Sequence, residues 1–91
     1  MKKAKRLYVS GTVQGIFYRA FIKENAERIG LKGFVRNLDD GRVEIFIEGN
    51  PDEVNKMIEL AKKGPKHSVI KGVEEKTEKF QSFKQFKILH I

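Results

Sequence analysis

A chain of 91 residues is long enough for one core and too short for separate cofactor and substrate modules, so a single domain over residues 1–91 is expected. With no cysteine, disulfide staples, thiolate metal sites and a cysteine nucleophile are excluded, which fits a reducing cytoplasm as the expected location. The balance of 19 Lys+Arg against 12 Asp+Glu gives +7, a charge that favours anionic partners such as nucleic acid or a small phosphate, yet the charges are interspersed as on an ordinary solvated surface.

The basic start at Lys2, Lys3, Lys5 and Arg6 never leads into a continuous apolar segment, so neither a signal peptide nor a membrane span is expected. From Lys5 to Thr12, apolar Leu7 and Val9 alternate with Arg6, Tyr8 and Ser10, the period of a strand with one buried face. Gly11 and Gly15 bracket a loop from Gly11 to Tyr18. Ile22, Ala26 and Ile29 then recur at helical spacing, which predicts a helix starting at about Tyr18 or Arg19. Gly30 suits a left-handed cap, with Leu31 folding back on the last turn as in a Schellman ending.

Strand-like runs at Gly33 to Leu38 and Arg42 to Glu48 flank Asp39-Asp40-Gly41, a turn signal that predicts an antiparallel hairpin. In the second run Val43, Ile45 and Ile47 share one face and are expected to meet the helices, with Glu44, Phe46 and Glu48 on the other. Asn50-Pro51-Asp52-Glu53 reads as a helix start with a capping box. Val54, Met57, Ile58 and Ala61 form the buried stripe of that helix, and Gly64-Pro65 stops it. Val69, Lys71 and Val73 alternate weakly, and Phe83, Phe86, Ile88 and Leu89 mark a last strand; the path from Glu74 to Gln81 is the least defined. The order predicts an α+β, ferredoxin-like α/β sandwich: a βαββαβ core with an extra C-terminal strand and two helices on one face of an antiparallel sheet.

The loop is built to hold an anion, because two glycines permit a turn with bare amides and the helix points its positive end at the same place. Arg19 at the helix start offers a guanidinium fork to the same anion. No nucleotide loop is present, since Ile16 and Phe17 follow Gly15 where Lys and Ser or Thr are needed. The loop itself holds no cysteine and only Thr12 and, upstream, Ser10 as aliphatic hydroxyls, so water is the expected nucleophile. On spacing alone, a plain strand-to-helix turn explains the glycines equally well. Asn37, at the end of a strand, fits either a turn residue or a functional amide. His67 and His90 have no carboxylate at ligand spacing and read as surface or rim residues, so no metal is expected.

The segments Val13-Gln14-Gly15-Ile16-Phe17-Tyr18-Arg19, Gly30-Leu31-Lys32-Gly33-Phe34-Val35-Arg36-Asn37 and Asp40-Gly41-Arg42-Val43-Glu44-Ile45, with the closing Phe86-Lys87-Ile88, together resemble the acylphosphatase family. Ile16 stands where valine is usual, Tyr18 where phenylalanine is usual and Phe34 where tryptophan is common, and none of these departures touches Arg19 or Asn37. The resemblance implies hydrolysis of the carboxyl-phosphate anhydride of a small-molecule acyl phosphate, with no metal and no phosphoenzyme. No cofactor is expected, and because Lys and Glu along the last strands discourage edge pairing a monomer is expected. It implies that Arg19 binds the phosphoryl oxygens together with the segment Gln14, Gly15, Ile16, Phe17 and Tyr18, and that Asn37 orients the attacking water. A carboxylate already leaves well, so positioning and charge neutralisation suffice. Two other readings remain: an RNA-binding module, suggested by the charge and by Lys32-Gly33-Phe34, although Arg36 and Leu38 stand where stacking rings are needed; and an inactive anion sensor. The Lys- and Glu-rich composition also fits a heat-adapted protein.

Overall fold

In the computed structural model, which describes residues 1–13 and 16–90, the expected alternation of Leu7 and Val9 places the first strand, β1 (Lys3–Gly11), in the interior of a five-stranded sheet with both of these side chains fully buried. The remaining elements are α1 (Ile16–Ile29), β2 (Lys32–Asn37), β3 (Val43–Gly49), α2 (Pro51–Lys63), β4 (Ile70–Glu78) and β5 (Phe86–Leu89). The strand order is β4-β1-β3-β2-β5, so the ferredoxin-like βαββαβ core with its extra C-terminal strand stands as expected. The sheet is mixed: β1 pairs antiparallel with β3 and β4, and β3 with β2, but β5 runs parallel to β2. β4 extends through most of the segment whose path was undefined, and the chain then crosses from one edge of the sheet to the other before β5.

The helices cover one face. Ile22 and Ala26 of α1 and Val54, Met57, Ile58 and Ala61 of α2 close over Val43, Ile45 and Ile47, forming one core in which truncating a large side chain to alanine costs roughly 2–5 kcal/mol. The other face of β3 is not solvated as the alternation suggested, since Glu44, Phe46 and Glu48 are buried as well. The crossing segment is the cause. Phe83 packs edge-on against Phe34, which stacks on Phe46 with ring centroids 5.8 Å apart. The Glu48 carboxylate accepts hydrogen bonds from the backbone N–H groups of Gln81 (2.6 Å) and Phe83 (2.5 Å), strapping this segment across the sheet. A carboxylate receiving two amide donors is tolerated in a dry setting because its lone pairs are satisfied.

Local signals behave as their chemistry dictates, with one exception. Leu31 N–H bonds to the Ala26 carbonyl at 2.8 Å and Gly30 has φ 97°, the expected Schellman ending. In the hairpin the Arg42 N–H reaches the Asp40 carboxylate at 3.0 Å and holds that carboxyl below its ordinary value. Asn50, however, is extended at φ −67° and ψ 141° without a side-chain cap bond; its main-chain carbonyl receives the Val54 N–H at 2.9 Å, so the capping box is not formed through Asn50. Pro51 at the helix start supplies the fixed φ, and its missing N–H costs nothing because the first amide of a helix has no intrahelical acceptor.

Candidate functional site

β1 delivers the chain to the loop in a constrained way. Gly11 has φ 128°, and a Cβ there would lie 2.1 Å from the Val69 carbonyl oxygen, so its glycine is demanded by the close approach of β4 at a register shift. Packing against the β4 side is thus enough to require glycine at position 11. Thr12 then donates its N–H to the Val69 carbonyl at 2.8 Å and Val13 buries its side chain, fixing the loop's first half to the β4 side. Gln14 and Gly15, two of the expected anion-binding residues, lie outside the described residues.

α1 begins at Ile16, ahead of the expected start at Tyr18 or Arg19. The side chains of Ile16 and Phe17 are 67% and 84% exposed, so they add nothing to the buried stripe from which a helix is recognised in sequence. The backbone N–H groups of Ile16, Phe17 and Tyr18 therefore occupy the first helical turn, where intrahelical acceptors are missing, and no acidic side chain in that turn offsets the positive end of the helix.

Tyr18 and Arg19 divide two tasks at this helix start. Tyr18 is buried and donates its hydroxyl to the Ala61 carbonyl at 3.0 Å, in the last turn of α2, where helix carbonyls lack intrahelical partners. The hydroxyl that distinguishes this position from the more usual phenylalanine thus ties α1 to α2. Burial pushes the Tyr18 phenol well above its ordinary value. Arg19 points elsewhere. Its Nη1 lies 3.2 Å from Nδ1 of His90, just beyond β5. His90, read from sequence as a rim residue, is therefore a neighbour of the expected phosphate-binding arginine, and no motif in the sequence signals it.

Asn37 is the last residue of β2, paired with Val43, and stands before the hairpin turn instead of within it. Its Oδ1 is buried and has no hydrogen-bond partner, an arrangement rare enough in folded proteins to call for a reason. Since β1 and β2 are both antiparallel to β3, their C-terminal ends lie at the same end of the sheet. The last β2–β5 pair is Arg36 with Leu89, and one residue further on stand Asn37 and His90. The topology thus gathers the start of α1, Arg19, His90 and Asn37 at one end of the fold.

The neighbouring charges are neutralised among themselves. Glu44, only 3% exposed, accepts from both Arg6 and Arg36, so the guanidinium that precedes Asn37 is held on the sheet face. Sequence alternation marked Glu44 as outward and missed this clamp, because the partners come from three strands. In the Phe34, Phe46 and Phe83 cluster on the same face, the chain's own strap covers Phe46, which is buried, while Phe83 stays partly exposed. Among the described residues there is no group of three or more His, Asp and Glu placed to hold a metal ion, and no helix is long and apolar enough to cross a membrane.

Comparison with known proteins agrees with this architecture. The family model described as Acylphosphatase matches residues 5–88. An acylphosphatase of Solibacter usitatus is 41% identical over 94% of this chain and 90% of its own length, and one of Syntrophus aciditrophicus is 40% identical over 99% and 95%. The crystal structure of acylphosphatase from Bacillus subtilis superposes with a TM-score of 0.92 at 32% identity, covering 99% of this chain and 100% of that one. With a matching strand order, a family model spanning nearly all of its length and relatives aligned end to end, the chain belongs to the acylphosphatase family.

Proposed function

We propose that this acylphosphatase hydrolyses its acyl phosphate through Arg19 and Asn37, with the first-turn amides of Ile16, Phe17 and Tyr18 and the preceding Gln14 and Gly15 binding the phosphoryl oxygens. The observation that carries the proposal is the convergence, at one end of the sheet, of a helix start bearing Arg19 and of an Asn37 Oδ1 that is buried without a partner. A guanidinium and several amides neutralise the three non-bridging oxygens, where charge gathers in the transition state. The amide oxygen of Asn37 accepts a hydrogen from water and turns a water lone pair toward phosphorus. The new P–O bond forms as the bond to the acyl oxygen breaks, the electron pair leaves with the carboxylate, and the proton of the water passes to phosphate or solvent.

Because the leaving group is a stabilised carboxylate, no general acid and no metal is assigned a role. Phosphate release from acetyl phosphate in the presence of a chelator is the test: turnover is expected to be unaffected by the chelator, and inorganic phosphate or sulfate to compete. Loss of turnover on chelation, or indifference to millimolar anion, overturns the mechanism. The Phe34 ring is already engaged by Phe46 and Phe83, which supports a reading without nucleic acid, in which the charge of +7 draws in anionic substrate. We also place the protein in the cytoplasm as a monomer, an assignment supported by the absence of cysteine and by exposed Lys71, Glu74, Glu75 and Lys76 along the β4 edge.

A further inference from the structure

Beside the start of α1 lies a groove of about 660 Å³ with a largely apolar wall, formed by Phe17, Ala20 and Phe21 of the helix and by Pro65 to Ser68 of the α2–β4 connection. That volume falls in the range of small-molecule sites. It is continuous with the phosphate loop, since Thr12, Phe17 and Tyr18 belong to both. Phe17 is the most telling of them: an aromatic side chain left 84% exposed in the first turn of a helix does nothing for the core.

The groove lies on a definite side of the loop. Phe17 and Phe21 are each two positions from Arg19, which at 3.6 residues per turn puts them about 200° around the helix from it. Arg19 faces His90, beyond β5, whereas the groove is closed by the segment leading into β4, at the opposite edge of the sheet. Asn37 at the end of β2 lies on the same side as His90. In an in-line displacement at phosphorus the attacking and leaving oxygens stand on opposite sides. If water sits with Asn37, the departing carboxylate is directed away from β2 and β5, toward this groove.

We propose that the groove is the acyl subsite and that it selects acyl phosphates with an apolar chain, a proposal that rests on the assignment of the attacking water to Asn37. Its charged lining residues, Glu24 against Lys66, offset one another, so no net charge favours an ionised acyl group. The phosphate loop recognises what all substrates share, and the wall of Phe17, Ala20 and Phe21 distinguishes among them.

The test compares kcat/KM for acetyl, butyryl and hexanoyl phosphate, whose aliphatic carboxylates are similar leaving groups, in the wild type and in Ala20→Phe. Full burial of a methylene corresponds to roughly a fourfold gain and half burial to about twofold, so kcat/KM is expected to climb by about two- to fourfold per methylene in the wild type. Ala20→Phe, an exposed position on the groove wall, should flatten that slope. A flat series in the wild type overturns the subsite, and this result does not depend on the variant's folding. An unchanged slope in a folded Ala20→Phe overturns it too. Failure to hydrolyse even acetyl phosphate is a separate outcome, which removes the catalytic assignment and the subsite with it.

Discussion

Arg19 and His90, 71 positions apart in sequence, meet with Nη1 and Nδ1 3.2 Å from one another. A guanidinium has no acceptor, so Nδ1 is the accepting nitrogen and the ring carries its hydrogen on Nε2. The residue that follows the last strand therefore helps to orient a side chain on the first helix. Replacing His90 by alanine is expected to raise KM about two- to tenfold as Arg19 loses one restraint, with a smaller change in kcat. Steady-state kinetics with acetyl phosphate decide this, and equal losses in kcat and kcat/KM would argue instead that His90 acts only in the transition state.

Removing either member of the proposed catalytic pair has a larger effect. Arg19→Ala and Asn37→Ala are each expected to lower kcat by roughly 100- to 1,000-fold, the scale seen when a preorganised hydrogen-bonding group of the transition state is deleted. Melting temperatures measured on the same preparations separate this from unfolding, since Arg19 is outside the core and the Asn37 Oδ1 has no partner to lose. Full activity in both variants would remove them from the mechanism.

Tyr18→Phe leaves the Ala61 carbonyl without its donor and is expected to cost about 1–2 kcal/mol at neutral pH, read by urea unfolding. The pH dependence has a definite sign. Burial raises the phenol above its ordinary value of 10.0, so the unfolded chain ionises first; the stabilisation is complete below pH 10.0 and is lost as the pH climbs toward the folded-state value. The gap between wild type and Tyr18→Phe should therefore narrow above pH 10.0, and a constant gap up to pH 11.5 would contradict the burial of the hydroxyl.

Gly33→Ala tests the sheet. At φ 139° an added Cβ would sit 1.9 Å from the Phe46 carbonyl oxygen, too close for local adjustment, in the strand that carries Asn37. A loss of roughly 4 kcal/mol or more is expected, enough to unfold a domain of this size at moderate temperature. Gly41→Ala, also at positive φ but with open space around its Cβ, should cost far less, about 1 kcal/mol, which separates backbone strain from collision.

Much of this was legible in the chain because the signals were local. Leu7 and Val9, the Asp40-Gly41 turn, and the Val54, Met57, Ile58 and Ala61 stripe each follow a period that backbone geometry imposes. What was missed depends on partners far away in sequence. Glu44 and Glu48 obey the alternation of an outward face, and only the Arg6 and Arg36 clamp and the strap at Gln81 and Phe83 make them interior. Arg19 could be singled out by its place after a glycine loop. His90 could not, because its importance comes from the register of β5 against β2. The start of α1 was placed late because Ile16 and Phe17 are helical yet exposed, and periodicity registers burial, not backbone shape.

The position of β5 also governs how the protein comes into being. The β2–β3 hairpin joins neighbours in sequence, whereas β4 must return to β1 and β5 to β2 from the far end of the chain. A sheet closed by such distant pairings has a high contact order and folds slowly for its length. The β2–β3 hairpin and the helices rest on nearby residues and can form early, whereas β5 docks only by a long-range pairing. His90 follows β5, so its contact with Arg19 forms only after this distant pairing is made, and the chain is compact before the contact exists.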